Sequence, residues 1–161
     1  NYFRFILNNI SKRGIFMEIL NRKARFDYFV EDEIEAGIVL TGTEIKSIRM
    51  GKVNLKDSYA IIRNEEIFLL NTHISSYDKG NRFNHDEERT RKLLMHKRDI
   101  LKLNNKVVLE GYTLIPLKIY FVRGRAKVLI GVCKGKKNYD KRETIKERDI
   151  KREMEKSYKY R

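Results

Sequence analysis

The stretch from Tyr112 to Cys133, YTLIPLKIYFVRGRAKVLIGVC, constrains this chain more than any other. Two apolar runs flank Arg123-Gly124-Arg125, and a glycine among polar residues at that point marks a tight reversal between strands. The pattern predicts a β-hairpin. Pro116 has no N–H to give a sheet ladder, so its strand is expected to be an edge or to carry a bulge there. A second hairpin is predicted in DSYAIIRNEEIFLLNTHIS (57–75), turning at Asn64-Glu65. ARFDYFVED, from Ala24, is rich in aromatic and β-branched residues and reads as a strand. EAGIVLTG, from Glu35, reads as another, a short apolar run bounded by glycines.

Two helices interrupt these strands. Thr43 can serve as an N-cap, Ile45 and Ile48 stand three apart, and Gly51 supplies a stop. Farther on, Ile100, Leu103 and Val107 keep helical spacing up to Gly111. Between the second hairpin and that helix lies a polar loop, Ser75 to Arg91, which holds His85. The sum is five to seven short strands with two inserted helices, no βαβ alternation and no internal repeat. Closing such a set into a small barrel is the economical way to remove unpaired edges, and the five-stranded oligonucleotide-binding barrel is the obvious relative.

After Cys133 the composition changes. Residues 134–161 hold 12 Lys or Arg against 6 Asp or Glu. At helical spacing the apolar positions are Ile150, Met154 and Tyr158, a stripe one residue wide, with Ile145 off it. Glu147–Lys151 and Glu155–Lys159 are favourable i,i+4 pairs of about 0.2–0.5 kcal/mol each. That is small against an ordering cost of about 1–2 kcal/mol per residue. The free tail is therefore expected to be mostly disordered and ready to become a helix on a polyanion. The whole chain carries a formal charge of +14, which favours nucleic acid as partner. The tail's stripe is too narrow to insert into a membrane surface.

Catalytic chemistry finds little support. His85-Asp86-Glu87-Glu88 is the one place where a histidine and carboxylates crowd together, and adjacent loop residues point in different directions. A solvated loop is expected, with His73 and His96 as ordinary strand or helix-start residues. Cys133 is the single cysteine, so no disulfide framework or cysteine-based zinc site is available, and burial among apolar neighbours is expected. No phosphate-binding glycine loop occurs. Phe26, Tyr28, Phe29, Tyr59 and Tyr139 could stack on bases. On a strand, Phe26 and Tyr28 would share one face and Phe29 the other.

Three segments carry a resemblance. NRKARFDYFVEDEIEAGIVLTGTEIKSIRMGKVNLKDSYA, GNRFNHDEERTRKLLMHKRDI and GVCKGKKNYDKRETIKERDIKRE stand in order from Asn21 to Glu153. Together they resemble the small protein B family, the SsrA-binding proteins of bacteria. The resemblance implies a closed six-stranded antiparallel barrel related to the oligonucleotide-binding fold, with flanking helices. It implies a cytoplasmic, non-enzymatic monomer without a cofactor. The partners it implies are the tRNA-like domain of transfer-messenger RNA and the stalled ribosome. The tail would enter the decoding centre and the vacant mRNA channel. Residues 21–133 would form the barrel domain and 134–161 the tail. Residues 1–20 would be a flexible extension; its longest apolar run before Gly14, Phe5-Ile6-Leu7, is too short for a signal-peptide core, and Met17, the first methionine, is a candidate start.

The resemblance also implies contact residues. Those for the RNA are Asn21, Arg22, Tyr28, Glu35, Lys92, Leu94 and Lys127. By type, Arg22, Lys92 and Lys127 suit phosphates, Tyr28 suits an unstacked nucleotide, and Leu94 could cover a base or sugar. Glu35 would be repelled by phosphate, so it should accept from a base amino group or orient a neighbour. Those for the ribosome are Tyr59, Lys134, Lys136, Lys137, Tyr139, Asp140, Lys141, Arg142, Ile145, Lys146 and Arg148. Asp140 suits the start of a helix, where its charge meets the positive end.

Overall fold

Antiparallel pairing organises the molecule, which is mostly β with several helices. The structure, a computed structural model, describes residues 17–80 and 84–159. Residues 1–16, which hold most of the expected N-terminal extension, lie outside that description. The strands are β1 (Glu18–Leu20), β2 (Tyr28–Ile38), β3 (Val53–Asn54), β4 (Tyr59–Arg63), β5 (Glu66–Leu70), β6 (His73–Ile74), β7 (Arg91–Leu94), β8 (Thr113–Val122) and β9 (Arg125–Gly135). The helices are α1 (Arg22–Asp27), α2 (Gly42–Arg49), α3 (Lys97–Glu110) and α4 (Asn138–Lys159). The main sheet runs β1-β8-β4-β5-β7-β2-β9, and β8 also pairs with β9. The pairings therefore return on themselves, with β1 attached outside the ring.

Both predicted hairpins are present. Arg63 faces Glu66 across Asn64-Glu65, two residues with φ of 50° and 60°. Val122 faces Arg125 across Arg123-Gly124, with φ of 49° and 76°. Such left-handed pairs match the right-handed twist of the strands they join. The expected irregularity at Pro116 is a register shift between Pro116 and Lys118 against β9. It has a packing consequence. Leu114 and Ile119 are five residues apart, so a regular strand would put them on opposite faces, yet both lie in the core. The extra residue turns the strand back inward.

The core takes Leu114, Ile119 and Phe121 from β8 and Val128, Ile130 and Val132 from β9. Ile67, Leu69, Leu93, Ala36 and Ile38 join them from β5, β7 and β2, and Ile48, Ile100 and Leu103 come from α2 and α3. On the outer face a second cluster forms where Ala24 of α1 meets Ile115, Leu117 and Cys133. Cys133 is buried as expected, and burial pushes its thiol up to about 11.

Several expectations change. Residues 24–27 are helical and do not extend the following strand, because Asn21 caps α1 through Ala24 N–H. The remainder of that segment and the one from Glu35 merge into the single long strand β2, which absorbs its irregularity at Val30/Asp32. The cap of α2 is Thr41 in place of Thr43. The Thr41 side chain accepts from Glu44 N–H while Glu44 accepts from Thr41 N–H, a reciprocal box. Gly111, with φ of 71°, ends α3 in the left-handed turn expected of it.

The tail is a continuous helix, α4, although none of its residues is buried. The polar bonds that fasten it lie at its base. Asp140 accepts from Lys137 N–H at 2.9 Å, and Lys136 N–H donates to the Asp27 carbonyl at 2.8 Å. The Lys136 ammonium reaches Thr144 Oγ1 at 3.1 Å, and Lys141 pairs with Asp27 at 3.3 Å. The expected pairs Glu147–Lys151 and Glu155–Lys159 are not closed. Farther along α4, Arg152 and Asp149 stand 3.9 Å apart.

The loop before β7 is fastened from within. Arg91 and Glu44 are fully buried and paired, Nε to Oε2. The Arg91 guanidinium also donates to the carbonyls of Thr72 at 2.7 Å and Arg89 at 2.9 Å. Glu44 takes a further bond from Arg89 at 2.6 Å. Burial alone would raise the Glu44 carboxyl, but bonds from Thr41, Arg89 and Arg91 outweigh it and hold the group below its ordinary value. His85 has a corresponding duty. Its Nδ1 lies 2.9 Å from Thr43 Oγ1 and its Nε2 2.8 Å from the Ile74 carbonyl, so it pins the loop and is not simply solvated.

Candidate nucleic-acid interface

Alternation on β7, β2 and β9 sends one set of side chains inward to the core and the other outward. Lys92 and Leu94 are outward on β7, Glu35 on β2 and Lys127 on β9. Register brings them together: Tyr120 faces Lys127, Lys127 faces Gly37, and Gly37 faces Leu94. Gly37 leaves the middle of this row bare, since a Cβ there would stand 3.2 Å from the Leu94 Cβ. Leu94 is 53% exposed. Lys92 is held by Glu66 at 3.0 Å. Glu35 receives the Tyr120 hydroxyl on Oε2, and its Oε1 lies 3.9 Å from the Lys127 ammonium. Four of the seven expected RNA contacts thus form one patch across three adjacent strands.

Tyr28 and Arg22 lie elsewhere. Tyr28 starts β2, seven residues before Glu35, which is about 20 Å along a strand. There it shares a cleft of about 280 Å³ with Tyr59, walled by Lys23, Asp27, Asp57 and Ile115. The cleft thus joins an expected RNA residue to an expected ribosome residue. Both tyrosines are half buried against the outer apolar cluster.

Asn21 lines this cleft too, with most of its bonding capacity used inside the protein. It is buried, and its amide donates to the carbonyls of Leu55 at 3.1 Å and Pro116 at 2.9 Å, while its oxygen accepts from Ala24 N–H. The side chain ties α1, β8 and the segment before β4 together, and the residue keeps only a small exposed edge where it lines the clefts on either side. Asn21→Ala is expected to destabilise the fold by about 2–3 kcal/mol, from the lost cap and two stranded carbonyls. A urea titration checks this: the midpoint should fall with an unchanged slope.

The tail residues surround the base of α4. Lys134 lies over the Tyr112 ring at 4.5 Å and Lys136 over Phe29 at 4.9 Å. Tyr139 and Ile145 are exposed, at 58% and 45%. Lys137, Arg142, Lys146 and Arg148 are exposed too, so α4 presents cations on a helix that buries nothing. Arg22 and Arg148 meet in a cleft of about 600 Å³ floored by Leu20, Phe26 and Leu117, where Arg25 and Arg152 join them. Neither Arg25 nor Arg152 was expected. Arg25 follows Arg22 by three residues, a same-face spacing on a helix that a strand reading conceals. Tyr120 was also missed, because nothing local links it to Glu35.

Residues 18–160 match the family described as SmpB protein. A SsrA-binding protein of Desulfitobacterium hafniense (strain DSM 10664 / DCB-2) is 60% identical over 149 residues, 92% of this chain and 96% of the relative. The chain belongs to the SmpB protein family. A SsrA-binding protein of Shouchella clausii (strain KSM-K16) is 61% identical over 141 residues, covering 88% of this chain and 90% of the relative. Among solved structures, one described as "tmRNA-SmpB: a journey to the center of the bacterial ribosome" matches with a TM-score of 0.65 and 49% identity. That match covers 75% of this chain and 85% of the other. The family match spans every candidate contact residue, from Asn21 to Arg148.

Proposed function

We propose that this chain binds the tRNA-like domain of transfer-messenger RNA and delivers it to stalled ribosomes for trans-translation. The ring of strands (21–133) is the RNA-holding domain, a barrel related to the oligonucleotide-binding fold, and 134–161 is the ribosomal tail. The chain acts in the cytoplasm as a monomer and a binder, with no catalytic step. The observation that carries this reading is the cross-strand patch of Lys92, Leu94, Glu35 and Lys127. Its lysines offer charge to phosphates, its leucine and bare Gly37 offer a surface for a base, and its carboxylate offers discrimination. Kinship with proteins named for binding SsrA supports the choice of RNA.

Arg22 adds a phosphate contact at the far end and Tyr28 a stacking surface beside Tyr59. Asn21 contributes indirectly, by holding α1 in place. On the ribosome, Lys134, Lys136, Lys137, Tyr139, Asp140, Lys141, Arg142, Ile145, Lys146 and Arg148 line the entering helix. An empty mRNA channel is built to hold a polyanion, so a basic rod of about 30 Å can occupy it when the message is gone.

The test is a filter-binding titration against the tRNA-like domain at physiological salt, with bulk tRNA as competitor. Binding that survives a large excess of tRNA is expected. Binding erased by equimolar tRNA would mean that charge alone attracts RNA, as for a general ribosome-associated RNA binder.

A further inference from the structure

We propose that Glu35 and Lys127, with Tyr120 as the residue that positions them, read the Watson–Crick edge of one unpaired guanine. The inference rests on the RNA-binding reading above and names what that patch selects. A carboxylate on an outer face that also carries Lys92, Lys118 and Lys127 is a liability toward phosphates, so its use must lie with a group that donates hydrogen bonds. The structure fixes how it is offered. Tyr120 is only 6% exposed, yet its hydroxyl reaches Oε2 of Glu35. Burial and the adjoining carboxylate both push that hydroxyl well above its ordinary pKa, so it remains a donor and clamps one oxygen.

The other oxygen, Oε1, stays open. It lies 3.9 Å from the Lys127 ammonium, too far for a hydrogen bond, and the two side chains are 49% and 30% exposed. A free acceptor and a free donor therefore sit side by side. Guanine is the one standard base whose pairing edge carries two adjacent donors, N1–H and N2–H, next to an acceptor, O6. The carboxylate accepts from the donors while the ammonium donates to O6. Adenine and cytosine place an acceptor at the ring position that would face the carboxylate, and uracil offers a single donor between two carbonyls. In the same cross-strand row, bare Gly37 and exposed Leu94 give the base plane an apolar surface to rest on.

The experiment uses the full chain and the tRNA-like domain, in which each unpaired guanosine is replaced in turn by inosine. Inosine keeps N1–H and O6 but lacks the 2-amino group. At one position the replacement is expected to weaken wild-type binding about tenfold, the size of one hydrogen bond to a charged acceptor. Glu35→Ala, at an exposed position, should bind the guanosine and inosine forms equally. Tyr120→Phe should shrink the discrimination to about threefold while the salt dependence of binding stays unchanged, a pattern that simple loss of stability does not produce. Wild-type protein that selects the domain yet ignores every replacement would overturn the guanine assignment alone. Undiminished discrimination in Glu35→Ala would do the same, and in Tyr120→Phe it would remove the positioning role. Binding no tighter than that of bulk tRNA would overturn the parent reading and the guanine assignment together.

Discussion

Glu44→Ala is expected to destabilise the fold by about 3–5 kcal/mol, because it strands the fully buried Arg91 guanidinium. The size follows from what is left behind. Arg91 would keep its bonds to the carbonyls of Thr72 and Arg89 and lose the buried carboxylate paired with it. Replacing both residues with apolar ones of similar volume should recover a large part of the loss, since two desolvated charges are then removed together. Denaturant unfolding of the single and double variants measures this. A single-variant loss under about 1 kcal/mol would show that water reaches the pair. The pH dependence has a definite sign. Glu44 is held below its ordinary value in the folded chain, so on acidification the unfolded chain takes up the proton first. The stability it contributes is complete above the ordinary carboxylate value of 4.5 and is lost as pH falls through the lower folded value. A Glu44→Gln chain should lack that part of the acid slope.

Removal of residues 138–161, and with them α4, should reduce ribosome rescue to background while leaving affinity for the tRNA-like domain within about threefold. The helix buries no residue, and its ties to the body lie at its base, through Asp27, Lys136 and Lys141. Exposed ion pairs of that kind contribute about 0–1 kcal/mol each, so the strand ring should not notice the loss. A reconstituted translation reaction on a message without a stop codon reads the rescue, and a filter-binding titration reads the affinity. A large parallel drop in both would assign the cleft of Arg22, Arg25, Arg148 and Arg152 to the RNA site and make the tail part of it.

What could be read from the sequence was what neighbours in sequence decide. Asn64-Glu65 and Arg123-Gly124 announce their reversals locally, Gly111 its stop, and Pro116 its irregularity. The short helix α1 escaped because its cap works through a partnership made elsewhere. Asn21 is fastened by carbonyls 34 and 95 residues away. The same holds for His85, whose Thr43 partner is 42 residues distant, and for the Tyr120–Glu35 bond, which spans 85. Most candidate contacts were legible through family resemblance and not through pattern. Their grouping into one patch, with Tyr28 about 20 Å away, needed the register of β7, β2 and β9.

The ring of strands has a further meaning for how the chain is made. β2 is nearly the first strand and β9 the last, and they lie side by side from Tyr28–Gly135 to Gly37–Lys127. That seam joins segments almost a hundred residues apart, the kind of contact that forms late because its loop-closure entropy is greatest. During synthesis it must wait for the final strand to emerge. Glu35 stands on one lip of the seam and Lys127 on the other, so a chain cut short before β9 never assembles the pair. Competence to bind would then report that synthesis has passed β9, whatever the state of the tail that follows.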